Sequence, residues 1–153
     1  MIVIGEEETR ERLEWKPLVE ALRGAFKGGV ESPAKHQHFV EVPGEPEGKI
    51  MIMPAWRSGE YVCVKLVNMF PGNAERGMPA VSGIVVLFDG RTGQLLAQVD
   101  GGEVTARRTA AASALAADYL ARSDAKTHLV VGTGRVAWNL IFALRAVRTI
   151  DTT

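Results

Sequence analysis

One stretch near the C-terminus constrains this chain more than any other. His128-Leu129-Val130-Val131 is a short apolar run, Gly132-Thr133-Gly134-Arg135-Val136-Ala137 follows at once, and a helical pattern continues to Val147. Two glycines one residue apart, between a strand and a helix, match the fingerprint of a dinucleotide-binding turn. The first glycine makes the tight turn, the second lets backbone approach a pyrophosphate, and a small third residue lets helix pack on strand. Phosphates then lie against the free N–H groups of the helix N-terminus. The plainer alternative is a strand–helix junction whose glycines serve turn geometry alone. An acid that binds ribose should end the second strand, about 20 residues on. Asp151 has the distance but falls where that strand would start. We therefore expect the N-terminal portion of a longer enzyme, with only the first βα unit of its dinucleotide domain present. The 153 residues alone should then be inactive.

Composition narrows the class. Lys and Arg number 18 and Asp and Glu 18, so no field of one sign draws the chain to nucleic acid or to an anionic membrane. A hydrophobic share of 46% suits a packed globular core rather than a disordered tail. The single cysteine, Cys63, forbids an intrachain disulfide and suits a reducing, cytoplasmic setting. No apolar run reaches the roughly 20 residues of a membrane helix. The acids after MIVIG do not fit a signal peptide.

The periodicity divides the rest. Residues 2–4 form a strand candidate, and the acids from Glu6 open a helical stretch. Leu13, Leu18, Leu22 and Phe26 predict an amphipathic helix over about 15–27, ended by Gly28-Gly29. Strands are expected at 38–42, at 49–53 up to Pro54, and at 61–68, the last reading as a central strand covered on both faces. Residues 69–80 read as a Gly/Pro loop. Strands 83–88 and 94–99 flank the turn Asp89-Gly90-Arg91-Thr92-Gly93. After Gly101-Gly102, Thr105 to Arg122 is an alanine-rich helix suited to close packing. Thr127–Val131 is a strand and Arg135 to Val147 a helix. The expected class is α/β, with one antiparallel or mixed sheet packed on the helices near 15–27 and 103–122. Residues 127–147 should project from it as a lone strand and helix.

Two cations stand where apolar residues would be expected. Lys65 shares a strand face with Tyr61, Cys63 and Val67, a costly place for a charge unless it is paired or used. Arg108 shares a helical stripe with Ala111, Ala112 and Leu115, whereas Arg107 is turned about 100° away. Together Lys65 and Arg108 could clamp a carboxylate, Arg108 also reaching a cofactor phosphate. Equally, Lys65 could extend to solvent and Arg108 pair with a surface acid. His36 and His38 lack partners at metal-ligand spacing, so no metal is expected. Cys63 reads as a core thiol.

These features fall in a recognisable order. Lys65-Leu66-Val67-Asn68, Phe70-Pro71-Gly72-Asn73, Gly77-Met78-Pro79 and Val86-Leu87-Phe88-Asp89 are followed by Arg107-Arg108-Thr109-Ala110-Ala111-Ala112-Ser113 and Val131-Gly132-Thr133-Gly134. Across nearly its whole length the chain resembles the ornithine cyclodeaminase/mu-crystallin family. The resemblance implies a homodimer of subunits about twice this length, with NAD or NADP as cofactor. Residues 1–125 would be a substrate and dimerisation domain with a mixed sheet, and 126–153 the start of a Rossmann domain.

The resemblance also implies roles. Lys65 matches the lysine that binds the substrate carboxylate, and Arg108 the arginine that touches substrate and cofactor. Thr109 matches that arginine's cofactor-binding neighbour, and Gly132, Thr133, Gly134, Arg135 and Val136 lie on the phosphate-binding turn. Lys35 falls where the family usually has a substrate-binding arginine, keeping the charge without the bidentate fork. Ala80 replaces a cofactor-contacting threonine. The catalytic aspartate of cyclodeaminases would lie beyond these motifs. The implied activity is ornithine cyclodeamination to proline with release of ammonia, through an imine formed by loss of hydride from the substrate Cα and reduced by its return. Relatives that reduce cyclic imines such as ketimines and pyrroline-carboxylates, relatives that oxidise alanine, and a non-catalytic binding or oligomerisation module share these motifs.

Overall fold

The computed structural model describes residues 1–153, which divide into two compact units. One comprises Met1–Thr9 with Gly29–Gly102; the other comprises Arg10–Gly28 with Glu103–Thr153. The fold is α/β.

The first unit is a six-stranded mixed sheet in the order β1-β6-β5-β4-β3-β2. Its strands are β1 (Ile2–Ile4), β2 (His36–Val40), β3 (Gly48–Arg57), β4 (Tyr61–Met69), β5 (Val81–Asp89) and β6 (Leu95–Asp100). β1 runs parallel to β6, and all other pairs are antiparallel. The β5–β6 hairpin forms as its turn sequence predicts. Asp89 Oδ1 accepts from the backbone N–H of Arg91 (2.9 Å) and of Thr92 (2.7 Å), and Gly93 takes φ +69°. These N–H donors hold the Asp89 carboxyl below its ordinary range.

Three strand expectations need correction. β2 begins two residues early and ends at Val40, since Val42 already accepts from Glu45 N–H in the following turn. β3 runs through Pro54 to Arg57. Trp56 exchanges both backbone hydrogen bonds with Glu31, and the side of β3 that bears those bonds also bears the nitrogen of Pro54, two residues away. Position 54 lies between that bridge and the first β2 pair, His36 with Ile52, so the missing N–H leaves no ladder bond unmade. β4 is central in the sheet, but most of its side chains are half-buried rather than covered on both faces. The loop between β4 and β5 contains a 3₁₀ turn over Pro71–Arg76, closed by Gly77 at φ +64°.

Glycine decides how β6 turns into the next helix. A Cβ on Gly101 would meet the Gly83 carbonyl carbon at 2.5 Å, and one on Gly83 would meet Leu66 O at 2.4 Å. Gly101 and Gly102 are therefore the first residues of α3 (Gly101–Leu120) and do not precede it.

In the second unit, α2 (Trp15–Phe26), α3 and α4 (Arg135–Val147) share a core. Val19, Ala110, Ala111, Ala114 and Ala143 are wholly buried there, with Leu115 and Leu144 beside them. Small side chains let the helix backbones come close, as the alanine content implies. The fourth helix, α1 (Glu6–Arg12), carries three acids in its first turn. No helix is long and apolar enough to cross a membrane.

The expectation of a lone strand and helix over 127–147 fails on both counts. α4 packs on α2 and α3 rather than projecting alone. The segment 127–131 is not a strand: it makes one parallel bridge, Thr127 with Thr152, and leaves Leu129 and Val131 exposed. A parallel strand is built from neighbours on its edges, and within these residues only Thr152 offers backbone to it. Ala110→Leu should overpack the three-helix core and cost about 1–3 kcal/mol, whereas Ala116→Leu on the exposed face of α3 should stay within about 0.5 kcal/mol. Urea midpoints of the two variants check this; equal losses would contradict the packing described.

Candidate functional site

The turn before α4 has the geometry that its sequence implies. Gly132 takes φ +127°, a conformation that side-chain-bearing residues rarely adopt. Gly134 is extended at the N-cap and supplies no side chain to cap the helix. The first intrahelical bond runs from Trp138 N–H to Gly134 O (3.1 Å), so the amides of Arg135, Val136 and Ala137 precede it. No atom lies within 4 Å of a Cβ built on Gly132 or Gly134. An open approach, two bare glycines and a helix N-terminus whose N-cap residue has no side chain fit a pyrophosphate. The parallel bridge between Thr127 and Thr152 sets Asp151 level with Lys126, six residues before Gly132. Its carboxylate pairs with Lys126 (3.5 Å), so it does not fill the ribose position.

Behind this turn lies a cleft of about 480 Å³ lined by Arg10, Trp15, Glu103, Arg107, Arg135 and Asn139, among others. Glu103, in the first turn of α3, is 2% exposed and carries the charge balance of the cleft. Its Oε2 accepts from Arg135 Nη2 at 2.5 Å and its Oε1 from Arg10 Nε at 3.3 Å, with Arg107 Nη1 at 3.7 Å. Burial alone would raise the carboxyl, but the bonds from Arg135 and Arg10 outweigh it, and Glu103 titrates below its ordinary range. Arg107 is buried, its guanidinium 3.9 Å from the centre of the Trp15 ring and its Nε donating to Leu13 O at 2.8 Å. Burial lowers the Arg107 guanidinium, and the Glu103 charge opposes that.

Arg108, expected on a stripe with Ala111, Ala112 and Leu115, lies beside the buried stripe of α3 rather than on it. Glu103, Ala106, Arg107, Ala110, Ala111, Ala114 and Leu115 form it, and Arg108 is exposed beside it. Thr109 is half-buried and donates its hydroxyl hydrogen to Thr105 O. Lys65 sits half-buried on β4 between Met53 and Val85, on the face that carries Cys63. Lys35 is exposed just ahead of β2. Burial pushes the Cys63 thiol up, against a hydrogen bond at Ala55 and the Lys65 charge, so the thiol stays protonated. The signal for Glu103 was present as an i,i+4 pair with Arg107 in an otherwise alanine-rich helix, but its links to Arg10 and Arg135 span 93 and 32 residues.

Because the Glu103 carboxyl is depressed in the fold, its stabilisation should be full above the ordinary glutamate value of about 4.5 and be lost as pH falls through the folded value. Glu103→Gln should cost about 1–3 kcal/mol at pH 7 and flatten that acid limb. Urea midpoints between pH 3 and 7 read this directly. A variant as stable and as acid-sensitive as the parent would remove Glu103 from the account.

Comparison with known proteins follows the same geometry. The chain is 42% identical over 136 residues to a Δ1-pyrroline-2-carboxylate reductase of Paracoccus denitrificans, covering 89% of the chain and 42% of that protein. Among solved structures, the Thermococcus litoralis Δ1-pyrroline-2-carboxylate reductase in complex with NADH and L-proline superposes with a TM-score of 0.83 at 32% identity, covering 99% of the chain and 47% of the other. An archaeal alanine dehydrogenase dimer with bound NAD gives 0.85 at 32%, covering 98% and 46%. A lysine cyclodeaminase gives 0.81 at 30%, covering 99% and 47%. The chain thus spans about half the length of the relatives it matches. The profile of one family matches residues 2–153, and the chain belongs to it: the ornithine cyclodeaminase/mu-crystallin family.

Proposed function

We propose that this chain forms the N-terminal portion of an NAD(P)-dependent enzyme that reduces a small cyclic imino acid of the Δ1-pyrroline-2-carboxylate type. The observation that carries the reading is the 42% identity to a reductase of that specificity over 89% of the chain. Residues 1–125 would bind substrate and a second subunit, and the segment from 126 would begin the Rossmann domain; the archaeal alanine dehydrogenase relative is a dimer. When bound, the dinucleotide supplies hydride to the imine carbon, and a proton joins the nitrogen. The residues of this chain hold the reactants. By the family resemblance, Lys65 would bind the substrate carboxylate, Arg108 would contact the substrate, and Lys35 would add a positive charge. Thr109, Gly132, Thr133, Gly134 and Val136 line the cofactor side, with the α4 amides receiving phosphate. Arg108 also serves the cofactor.

Ornithine cyclodeamination is a second reading, supported by the likeness to lysine cyclodeaminase. It uses the same hydride chemistry at the carbon next to a carboxylate. A non-catalytic binding module is the reading of a different class. The protein at its native length separates the three. Oxidation of NADH or NADPH with Δ1-pyrroline-2-carboxylate marks a reductase, NAD+-dependent release of ammonia from ornithine marks a cyclodeaminase, and neither marks a module. In the active protein, Lys65→Met should raise KM more than tenfold and leave NADH affinity largely intact, whereas Arg108→Leu should impair both. A Lys65→Met variant within twofold of the parent in kcat/KM would sink the carboxylate assignment.

A further inference from the structure

The phosphate turn and the buried ion cluster meet at one residue. Arg135 is the first residue of α4 and directly follows Gly132-Thr133-Gly134. A guanidinium at that position would be free to face an anion on the turn, yet it pairs with the buried Oε2 of Glu103 at 2.5 Å. The first turn of α4 is also held at its carbonyl, since the side chain of Asn139, itself 8% exposed, donates to Arg135 O at 2.8 Å. Glu103 in its turn is fixed by Arg10 and by Arg107, and Arg107 is pinned between the Trp15 ring and Leu13 O.

We propose that Glu103 is a positioning residue for dinucleotide binding: through Arg135 it fixes the first turn of α4, so that backbone amides and not the Arg135 guanidinium meet the phosphates. This rests on the reading of the turn as a phosphate site. It assigns Arg135 a different part from the one its place in the motif suggests. The cost of a misplaced amide explains why such a tie would matter. A preorganised donor delivers its hydrogen bond without first being ordered, and small displacements of a helix N-terminus weaken several amide bonds at once.

The test has one arm without ligand and one with. Amide hydrogen exchange of the unliganded chain reads the turn itself. Glu103→Gln and Arg135→Met should each speed exchange at Trp138, Asn139 and Leu140, the first hydrogen-bonded amides of α4, at least fivefold, and the double variant should be no faster than the faster single one. Arg10→Met removes another partner of Glu103 and leaves the tie to α4 intact, so it should change these amides less than twofold. The second arm is an NMR titration of the same chains with inorganic pyrophosphate and with NADH at millimolar concentration. Both Glu103→Gln and Arg135→Met should weaken binding at least fivefold, again without adding in the double variant. Unchanged exchange in Glu103→Gln overturns the proposal, and so does an Arg10→Met effect as large as that of Arg135→Met. Tighter pyrophosphate binding by Glu103→Gln also overturns it, because freeing the guanidinium would then supply a phosphate ligand. If exchange changes as expected while neither pyrophosphate nor NADH shifts the turn resonances, the phosphate reading fails and the positioning of α4 stands.

Discussion

A single buried carboxylate organises the second unit of this protein. Glu103 lies 2% exposed in the first turn of α3, where the helix dipole favours an anion, and three arginines converge on it. Removing such a charge from water costs several kcal/mol unless its lone pairs are satisfied. Bonds from Arg10 and Arg135 at opposite oxygens provide that satisfaction. The cluster joins a helix of the N-terminal segment to the alanine-rich helix and to the helix that follows the glycine turn. Apolar packing alone would not fix that register. Ala110, Ala111, Ala114 and Ala143 let the helices come close, but alanines interlock weakly, and a directional contact selects one arrangement among several of similar area.

The sheet obeys a different constraint. Its ladders are set by backbone, and glycine marks the places where backbone meets backbone. Gly83 against Leu66 O, and Gly101 against Gly83, admit no side chain, so the chain can leave β6 and enter α3 without a connecting loop. That junction fixes where α3 begins and so where Glu103, Arg107, Arg108 and Thr109 fall along it. The tight β6–α3 turn and the placement of these four residues are one fact.

Much of this was legible in the sequence, and the failures have physical causes. Hairpin and helix signals are local, so the Asp89–Gly93 turn is legible and the helix expected over about 15–27 matches the observed Trp15–Phe26 to within a residue. The α/β class follows from the strand and helix periodicity, and the family motifs run through nearly the whole chain. Pro54 reads as a strand end from the sequence because its compatibility depends on a gap between Glu31 and His36 on the adjacent edge, which no local pattern reveals. Val131 and its neighbours carry strand propensity, but a parallel strand takes its bonds from partners remote in sequence. The Glu103 cluster was missed for the same reason. An i,i+4 pair with Arg107 is visible on one helix, whereas partners at positions 10 and 135 are brought in only by the fold. That Arg107 rather than Arg108 falls on the buried stripe of α3 is a matter of helical phase. The stripe is set by which face meets α2 and α4, and the alanines flanking both arginines are too alike to reveal it.

The proposed imine reduction would place a hydride on a carbon next to a carboxylate, and isotope transfer tests that most directly. The protein at its native length would be incubated with NADH carrying deuterium at nicotinamide C4, on either face, and with Δ1-pyrroline-2-carboxylate, and the product examined by NMR and mass spectrometry. The account predicts proline with one deuterium at Cα, delivered from one face of the nicotinamide only. Oxidation of the cofactor without label at Cα, or no reaction of this imine and no cyclodeamination of ornithine, would contradict it.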